Sequence, residues 1–342
     1  MHPETSEISR HIARALEAKT KPPRSLGRIE DIAVELGVAQ GTEHPCVDPA
    51  GILVFAGDHG VATDGVSAYP CEVTAQMCAN FVDGGAAVSV LATSVKARLT
   101  VVDVGVAADV SGVGGLVHAK VAHGTANMRY GPAMSPEQTQ RACDVGRQAA
   151  EQAVEEGARC LALGEMGIGN TTSAAVLTAL LCGRPAEEVT GRGTGVASSA
   201  LTAKRRVVAD VVERVGPMDA GPQECLRQAG GLEVAALVGA MLAAPPLRVP
   251  VLVDGFIVTA AALVACGVDP EVRNQLIFAH RSTEPGHVVA LQALQAEPLL
   301  NLGLALGEGS GSALALPLLR AACDILSGMA TFAGAGISEA ST

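Results

Sequence analysis

Val249-Pro250-Val251-Leu252-Val253-Asp254-Gly255-Phe256-Ile257-Val258-Thr259-Ala260-Ala261-Ala262 is the stretch on which the fold turns. Continued to Val268 it is nearly all apolar over about 20 residues, the length of a membrane span. Asp254-Gly255 breaks it after a β-rich run and before an alanine-rich helical one. A buried strand, a loop and a buried helix explain all three parts, whereas a span explains only the hydropathy.

The same texture recurs along the chain. Short apolar runs at Gly51–Ala56, Leu99–Val104, Arg159–Leu163 and Gln275–Phe278 join Val249–Val253 as strand candidates. Helical stretches fall near 72–80, 85–95, 136–157, 171–182, 198–214, 231–243, 256–266 and 285–295. Continuous apolar strands alternating with helices predict an α/β fold, a parallel sheet with helices on both faces. The chain ends differ from this middle. Residues 1–45 are the most charged and carry helical patterns at about 6–18 and at Leu26–Val38, parted by Pro22-Pro23. Ser25 is placed to cap the second. From about Pro298 the chain returns to helix, most clearly at Ala313–Leu326. These shifts predict a large α/β domain at 46–297 and a small helical unit drawn from 1–45 and 298–342.

Composition narrows the function. Hydrophobic residues make up 49% of the 342 and charged residues 17%, which supplies a large core. The net charge of −11 disfavours nucleic acid as a partner, because phosphate neutralisation needs a basic face. With no Trp, two Tyr and five Phe, a stacking platform for single strands is absent as well. The nine cysteines are scattered and form no C-x-x-C pair, which argues against zinc and against a disulfide framework. They read as small buried hydrophobes in a reducing compartment, and the polar N-terminus lacks the apolar core of a signal peptide. A soluble, cytoplasmic protein without membrane contact, metal or cofactor is expected.

Polar residues follow each strand: Asp58-His59, Asp103, Glu165, Asp254 and His280-Arg281-Ser282. Ligands of parallel sheets bind outside the carboxyl ends of the strands, so this set marks a candidate site, although strand ends also reach solvent. Three glycine-rich loops add to it. Gly164–Thr172 joins a strand to a helix, where glycine lets the backbone approach a ligand and free N–H groups favour an anion. Asn170, Thr171 or Thr172 is placed to cap that helix. The loop is neither a Walker loop nor a G-x-G-x-x-G fingerprint. Thr190–Gly195 precedes the helix with Lys204 and reads equally as an anion loop or a surface turn. Gly307-Glu308-Gly309-Ser310-Gly311 sets one carboxylate among glycines before a helix. Such a glutamate is commonly solvated; facing the crevice, desolvation would make it a general base. His59 and His280 have no familiar metal-ligand spacing and read more simply as hydrogen-bonded structural histidines.

Together these segments resemble the nicotinate-nucleotide:5,6-dimethylbenzimidazole phosphoribosyltransferase family. The resemblance runs through Lys21-Pro22-Pro23 with Ser25-Leu26-Gly27, Phe55–Val61, Val73–Met77, Gly124–Met128 and Gly164–Thr172. It continues through Thr190–Gly195, Asp254–Ala260, His280–Ser282, Glu284–His287 and Leu306–Gly311. It implies a homodimer with a Rossmann-like parallel sheet and a small helical domain formed from both chain ends. The implied reaction moves phosphoribose from nicotinate mononucleotide to 5,6-dimethylbenzimidazole or a related base, giving with the former α-ribazole 5′-phosphate and nicotinate in nucleotide-loop assembly of cobalamin. By this similarity Glu308 matches the base that takes the benzimidazole proton, and Glu165 a second acid beside the ribose. Gly167, Gly169, Asn170, Thr171, Lys204, Ser282 and Gly307 match the phosphate and ribose contacts. Tyr69, Pro70, Gln76, Met77 and Met166 match the base pocket. Arg24 departs from the pattern, standing where the family often has Gly.

Two rivals belong to other classes. A nicotinamide-dependent dehydrogenase would need the dinucleotide fingerprint after the first strand, and Ala56-Gly57-Asp58-His59-Gly60 does not supply it. A catalytically silent relative that binds the nucleotide or the benzimidazole would be favoured by loss of Glu165 and Glu308, and both are present.

Overall fold

Six strands form one parallel sheet in the order β3-β2-β1-β4-β5-β6. They are β1 (Ala50–Gly57), β2 (Arg98–Gly105), β3 (Val117–His118), β4 (Cys160–Met166), β5 (Val251–Val253) and β6 (Leu276–Phe278). The computed structural model describes residues 3–193, 195, 198–216 and 221–338. Thr194 of the second glycine loop lies outside them, as do residues 1–2 and 339–342 of the expected terminal unit.

Alternation along the strands sorts the core. Leu53, Phe55, Leu161 and Leu163 point to one face, and Ile52, Val54, Ala162 and Leu252 to the other, all buried. Helices α1 (Pro3–Glu17), α2 (Arg28–Gln40), α3 (Glu72–Val82) and α4 (Ala87–Ser94) cover the second face. The first is covered by α5 (Pro136–Glu155), α6 (Asn170–Cys182), α7 (Ala186–Val189), α8 (Ser198–Val215), α9 (Pro222–Ala229), α10 (Leu232–Leu247), α11 (Phe256–Val268) and α12 (Pro285–Ala293). Then α13 (Ser310–Gly328) returns to the second face, followed by the single turn α14 (Phe332–Ala335). The predicted Rossmann-like sheet with helices on both faces is the observed architecture. Val249–Val268 is a strand, a loop and a buried helix, and among the described residues no helix is long and apolar enough to cross a membrane.

The chain ends meet. Lys19 bridges Thr331, and its Nζ donates to the Met329 carbonyl at 2.7 Å. Ile12, Leu16, Ile32 and Leu36 share a core with Leu316 and Leu319 that is continuous with Ile52 of the sheet.

Two capping expectations fail. Gly27, not Ser25, stands at the start of α2, and no side chain caps it. Instead Glu30 Oε1 accepts the Leu26 N–H at 3.0 Å while pairing with buried Lys21 at 2.9 Å. Gly169, in a left-handed turn at φ 99°, begins α6, so neither Asn170, Thr171 nor Thr172 caps it. Arg24 has φ 58°, a left-handed conformation that glycine adopts more readily; its guanidinium reaches Asp31 at 2.8 Å. Strand β3 and helices α7, α9 and α14 escaped the sequence reading, being too short to show a period.

Candidate active site

The strand order reverses between β1 and β4, whose Phe55 and Glu165 are register partners. A cavity of about 350 Å³ opens there, outside the strand ends, where such sheets bind ligands. The loop before α13 crosses it and brings Glu308 opposite Glu165. Both carboxylates line the cavity, and both are nearly buried, at 7% and 4% exposure.

Tight backbone packing places them. Gly164 leaves room for the Glu308 backbone: a Cβ there would come 2.5 Å from the Gly309 nitrogen. Residues 307–309 are all left-handed, with φ 82°, 65° and 89°, so Glu308 takes a conformation that side chains other than glycine seldom adopt. Asp254, at the end of β5, accepts the Gly309 N–H at 3.2 Å and the Ser312 N–H at 2.9 Å. It thereby satisfies the open first turn of α13 from another strand.

The glycine loop after β4 is anchored from below. Asp58 accepts from Thr74 Oγ1 at 2.6 Å, and Thr74 Oγ1 in turn accepts the Ile168 N–H at 3.2 Å. Gly167 packs against the Gly57 carbonyl, where a Cβ could not fit. Asn170 donates its amide to Glu165 Oε2. Next to this loop, His59 Nε2 and Glu233 Oε1 form a fully buried pair at 2.6 Å.

Burial governs the proton affinities. It pushes the Glu165 carboxyl up to about 8, with Asp254 and Glu233 adding to the rise, Asn170 opposing it and Glu308 contributing least. Burial also raises Glu308, against the Val88 N–H at the start of α4, and Asp254 raises it further. Asp254 is itself raised by burial, opposed by His280 and by the backbone N–H groups it accepts. Burial acts to lower the His59 imidazole, but the Glu233 carboxylate and Asp58 outweigh it and raise the group. His287 is driven down to about 3 by burial, helped by His280 and Arg281. It is therefore neutral: its Nδ1 accepts the Ser282 N–H at 2.8 Å, leaving the proton on Nε2, 3.0 Å from Thr259 Oγ1.

Most of the expected contacts converge on the cavity: Tyr69, Met77, Met166, Gly167, Asn170, Thr171, Ser282 and Gly307 line it with the two acids. Pro70 and Gln76 are exposed outside it. Gly169 turns the chain below it, against His59. Lys204 is wholly buried and stands behind the wall, donating to Thr171 Oγ1 at 2.7 Å; burial lowers it to about 8, with Glu284 opposing. Of the strand-end groups only Glu165, His280 and Ser282 reach the cavity. Asp58 and Asp254 are anchors, and Asp103 pairs with Lys120 at 3.3 Å elsewhere.

The sequence reading missed Glu284, which lines the cavity and accepts the Gly193 N–H at 2.8 Å, and the apolar wall residues Phe256, Ile257 and Leu306. It also missed the capping by Asp254, which joins positions 55 and 58 residues apart; only its place at a strand end hinted at it.

A family profile described as "Phosphoribosyltransferase" matches residues 1–337. A protein from Chromobacterium violaceum, named nicotinate-nucleotide--dimethylbenzimidazole phosphoribosyltransferase, is 50% identical over 331 residues, covering 96% of each chain. The protein of that name from Pseudomonas putida KT2440 is 49% identical over 96% of this chain and 93% of its own. This chain belongs to the nicotinate-nucleotide--dimethylbenzimidazole phosphoribosyltransferase family. The crystal structure of CobT from Thermus thermophilus superposes with a TM-score of 0.94 at 48% identity, over 98% of this chain and 100% of that one. The family match covers residues 1–337, and the cavity lies within that region.

Proposed function

We propose that the protein transfers phosphoribose from nicotinate mononucleotide to 5,6-dimethylbenzimidazole, with Glu308 as general base and Glu165 as the acid beside the ribose. The observation that carries this reading is the placement of Glu165 and Glu308 in one largely apolar cavity at the sheet's reversal point. The names of its relatives supply the substrates.

In this reading one benzimidazole nitrogen attacks the ribose C1′ as the bond from C1′ to the pyridinium nitrogen breaks. The electron pair of that bond neutralises the nicotinate ring, and Glu308 takes the proton from the other benzimidazole nitrogen. Displacement from the opposite face turns the β linkage into the α linkage of the product. A carboxylate at Glu165 stabilises the positive charge that develops at C1′. In the free site its raised affinity keeps Glu165 largely protonated at neutral pH. The cationic ring of the nucleotide favours its ionised form.

Tyr69, Met77 and Met166 give the flat base its apolar walls. The amides of the Gly167–Thr171 loop, with Ser282, Gly307 and Lys204 behind Thr171, serve the nucleotide's ribose and phosphate. We further read residues 1–45 and 298–342 as the small helical unit, and the protein as a cytoplasmic homodimer. The silent-relative reading gains nothing, since both acids stand in the cavity.

The test is to incubate the purified protein with nicotinate mononucleotide and a panel of bases and to follow nicotinate release. Release with dimethylbenzimidazole is expected from the wild type, and Glu308→Ala should lose turnover while still binding the base. Absence of release with every base would sink the activity, and near-wild-type turnover by Glu308→Ala would sink the assignment of the base.

A further inference from the structure

The proposed base depends on a backbone that does not hold itself. Glu308 lies between two left-handed glycines and is left-handed too, a strained state that persists only where the surroundings impose it. Asp254 imposes it, through its two hydrogen bonds to Gly309 and Ser312. Its carboxylate is 1% exposed and has one ionisable neighbour of opposite kind, His280, whose Nε2 lies 3.7 Å away.

The groups facing Glu308 come from every side of the cavity. Glu165 on β4, His280 after β6 and Glu284 before α12 line the cavity, while Asp254, just after β5, lies outside its lining and holds the loop. The start of α4 offers the Val88 N–H, and Lys204 on α8 is held behind Thr171.

We propose that Asp254 is a positioning residue of the transfer reaction, which holds the Glu308 loop in its left-handed turn and supplies the negative field in which Glu308 and Glu165 act. The inference rests on the reading of Glu308 as the base. Asparagine at 254 keeps the size of the side chain but has one oxygen for two backbone N–H groups and turns an N–H₂ against the other. It also removes a charge that now raises both glutamates. The loop would loosen, and Glu308 would become a weaker base.

The experiment is a double-mutant cycle between Asp254→Asn and Glu308→Asp, which keeps a carboxylate and residual turnover, with kcat, KM and the pH profile of kcat measured for each variant. Asp254→Asn should lower kcat by about 10²-fold with KM within roughly threefold of wild type, as for a displaced transition-state group. The acid limb of its kcat profile should move to lower pH, because the base has lost a neighbouring negative charge. In the Glu308→Asp background, where the shortened carboxylate is already displaced, Asp254→Asn should cost clearly less than it does in the wild type. Wild-type kcat, an unmoved acid limb, or fully additive losses would each overturn the proposal. Near-wild-type activity of Glu308→Ala alone would instead remove the base reading, a different and separable outcome. Should Asp254→Asn not fold, amide hydrogen exchange in the wild type still decides: Gly309 and Ser312 should be strongly protected, and exchange at free-loop rates refutes the restraint.

Discussion

Gly164 of β4 and Glu308 touch backbone to backbone, so the strand that carries one acid also seats the other. A Cβ at Gly164 would overlap the Glu308 carbonyl and come 2.5 Å from the Gly309 nitrogen, and neither backbone atom can swing away as a side chain would.

Gly164→Ala is therefore expected to lift the Glu308 loop without altering any charge. Activity should fall by about 10²-fold, while overpacking costs about 1–3 kcal/mol of stability. Steady-state assay and urea unfolding measure the two effects, and a variant with normal kcat would show that the loop tolerates displacement.

The longer strands and helices, the glycine loops and the polar residue after each strand were legible because their signals are local, whereas Tyr69, Met77 and Met166 entered only through the family resemblance. The misassigned caps and the missed partners share one physical cause, distinct from the shortness that hid β3, α7, α9 and α14. Ser25, Asn170, Thr171 and Thr172 have the right chemistry to cap a helix, yet glycine takes each N-cap and Asn170 turns to Glu165. Lys204 and Asp254 found partners 33 and 55 residues away, a pairing that sequence spacing does not encode.

Stability should depend on pH through Glu165. Its carboxyl is raised from 4.5 to about 8 in the folded protein, so between those values the native state binds more protons than the unfolded chain. Stability is then present below about 4.5 and is lost as pH rises toward 8, with a slope of at most about 1.4 kcal/mol per pH unit. Thermal unfolding across this range should show a shallower fall for Glu165→Gln than for wild type, and an identical slope in the two proteins would count against the buried carboxyl.

The His59–Glu233 pair is sealed from water, and removing one partner strands the other. Glu233→Ala should destabilise the fold by about 3–5 kcal/mol. Removing both side chains should cost less than the sum of the single changes, as read by chemical denaturation.

Lys204 meets Thr171 rather than the cavity itself. Lys204→Met should lower kcat/KM for nicotinate mononucleotide by roughly 10- to 100-fold, the span of one hydrogen bond to a charged group. Competition with inorganic phosphate separates the sources of the loss: unchanged inhibition by phosphate would place the lysine's influence on the ribose rather than on the phosphate.

The junction of the chain ends sets a timetable for the protein's synthesis. Helices α1 and α2 leave the ribosome with apolar faces, at Ile12, Leu16, Ile32 and Leu36, whose partners Leu316 and Leu319 are made only after every strand of the sheet. The loop with Glu308 emerges just ahead of those partners and is anchored to the same helix. A nascent chain can therefore assemble its sheet before it has Glu308 or the helix that anchors it. Activity and closure of the N-terminal helices arrive together, so a chain truncated before α13 would be both inert and adhesive.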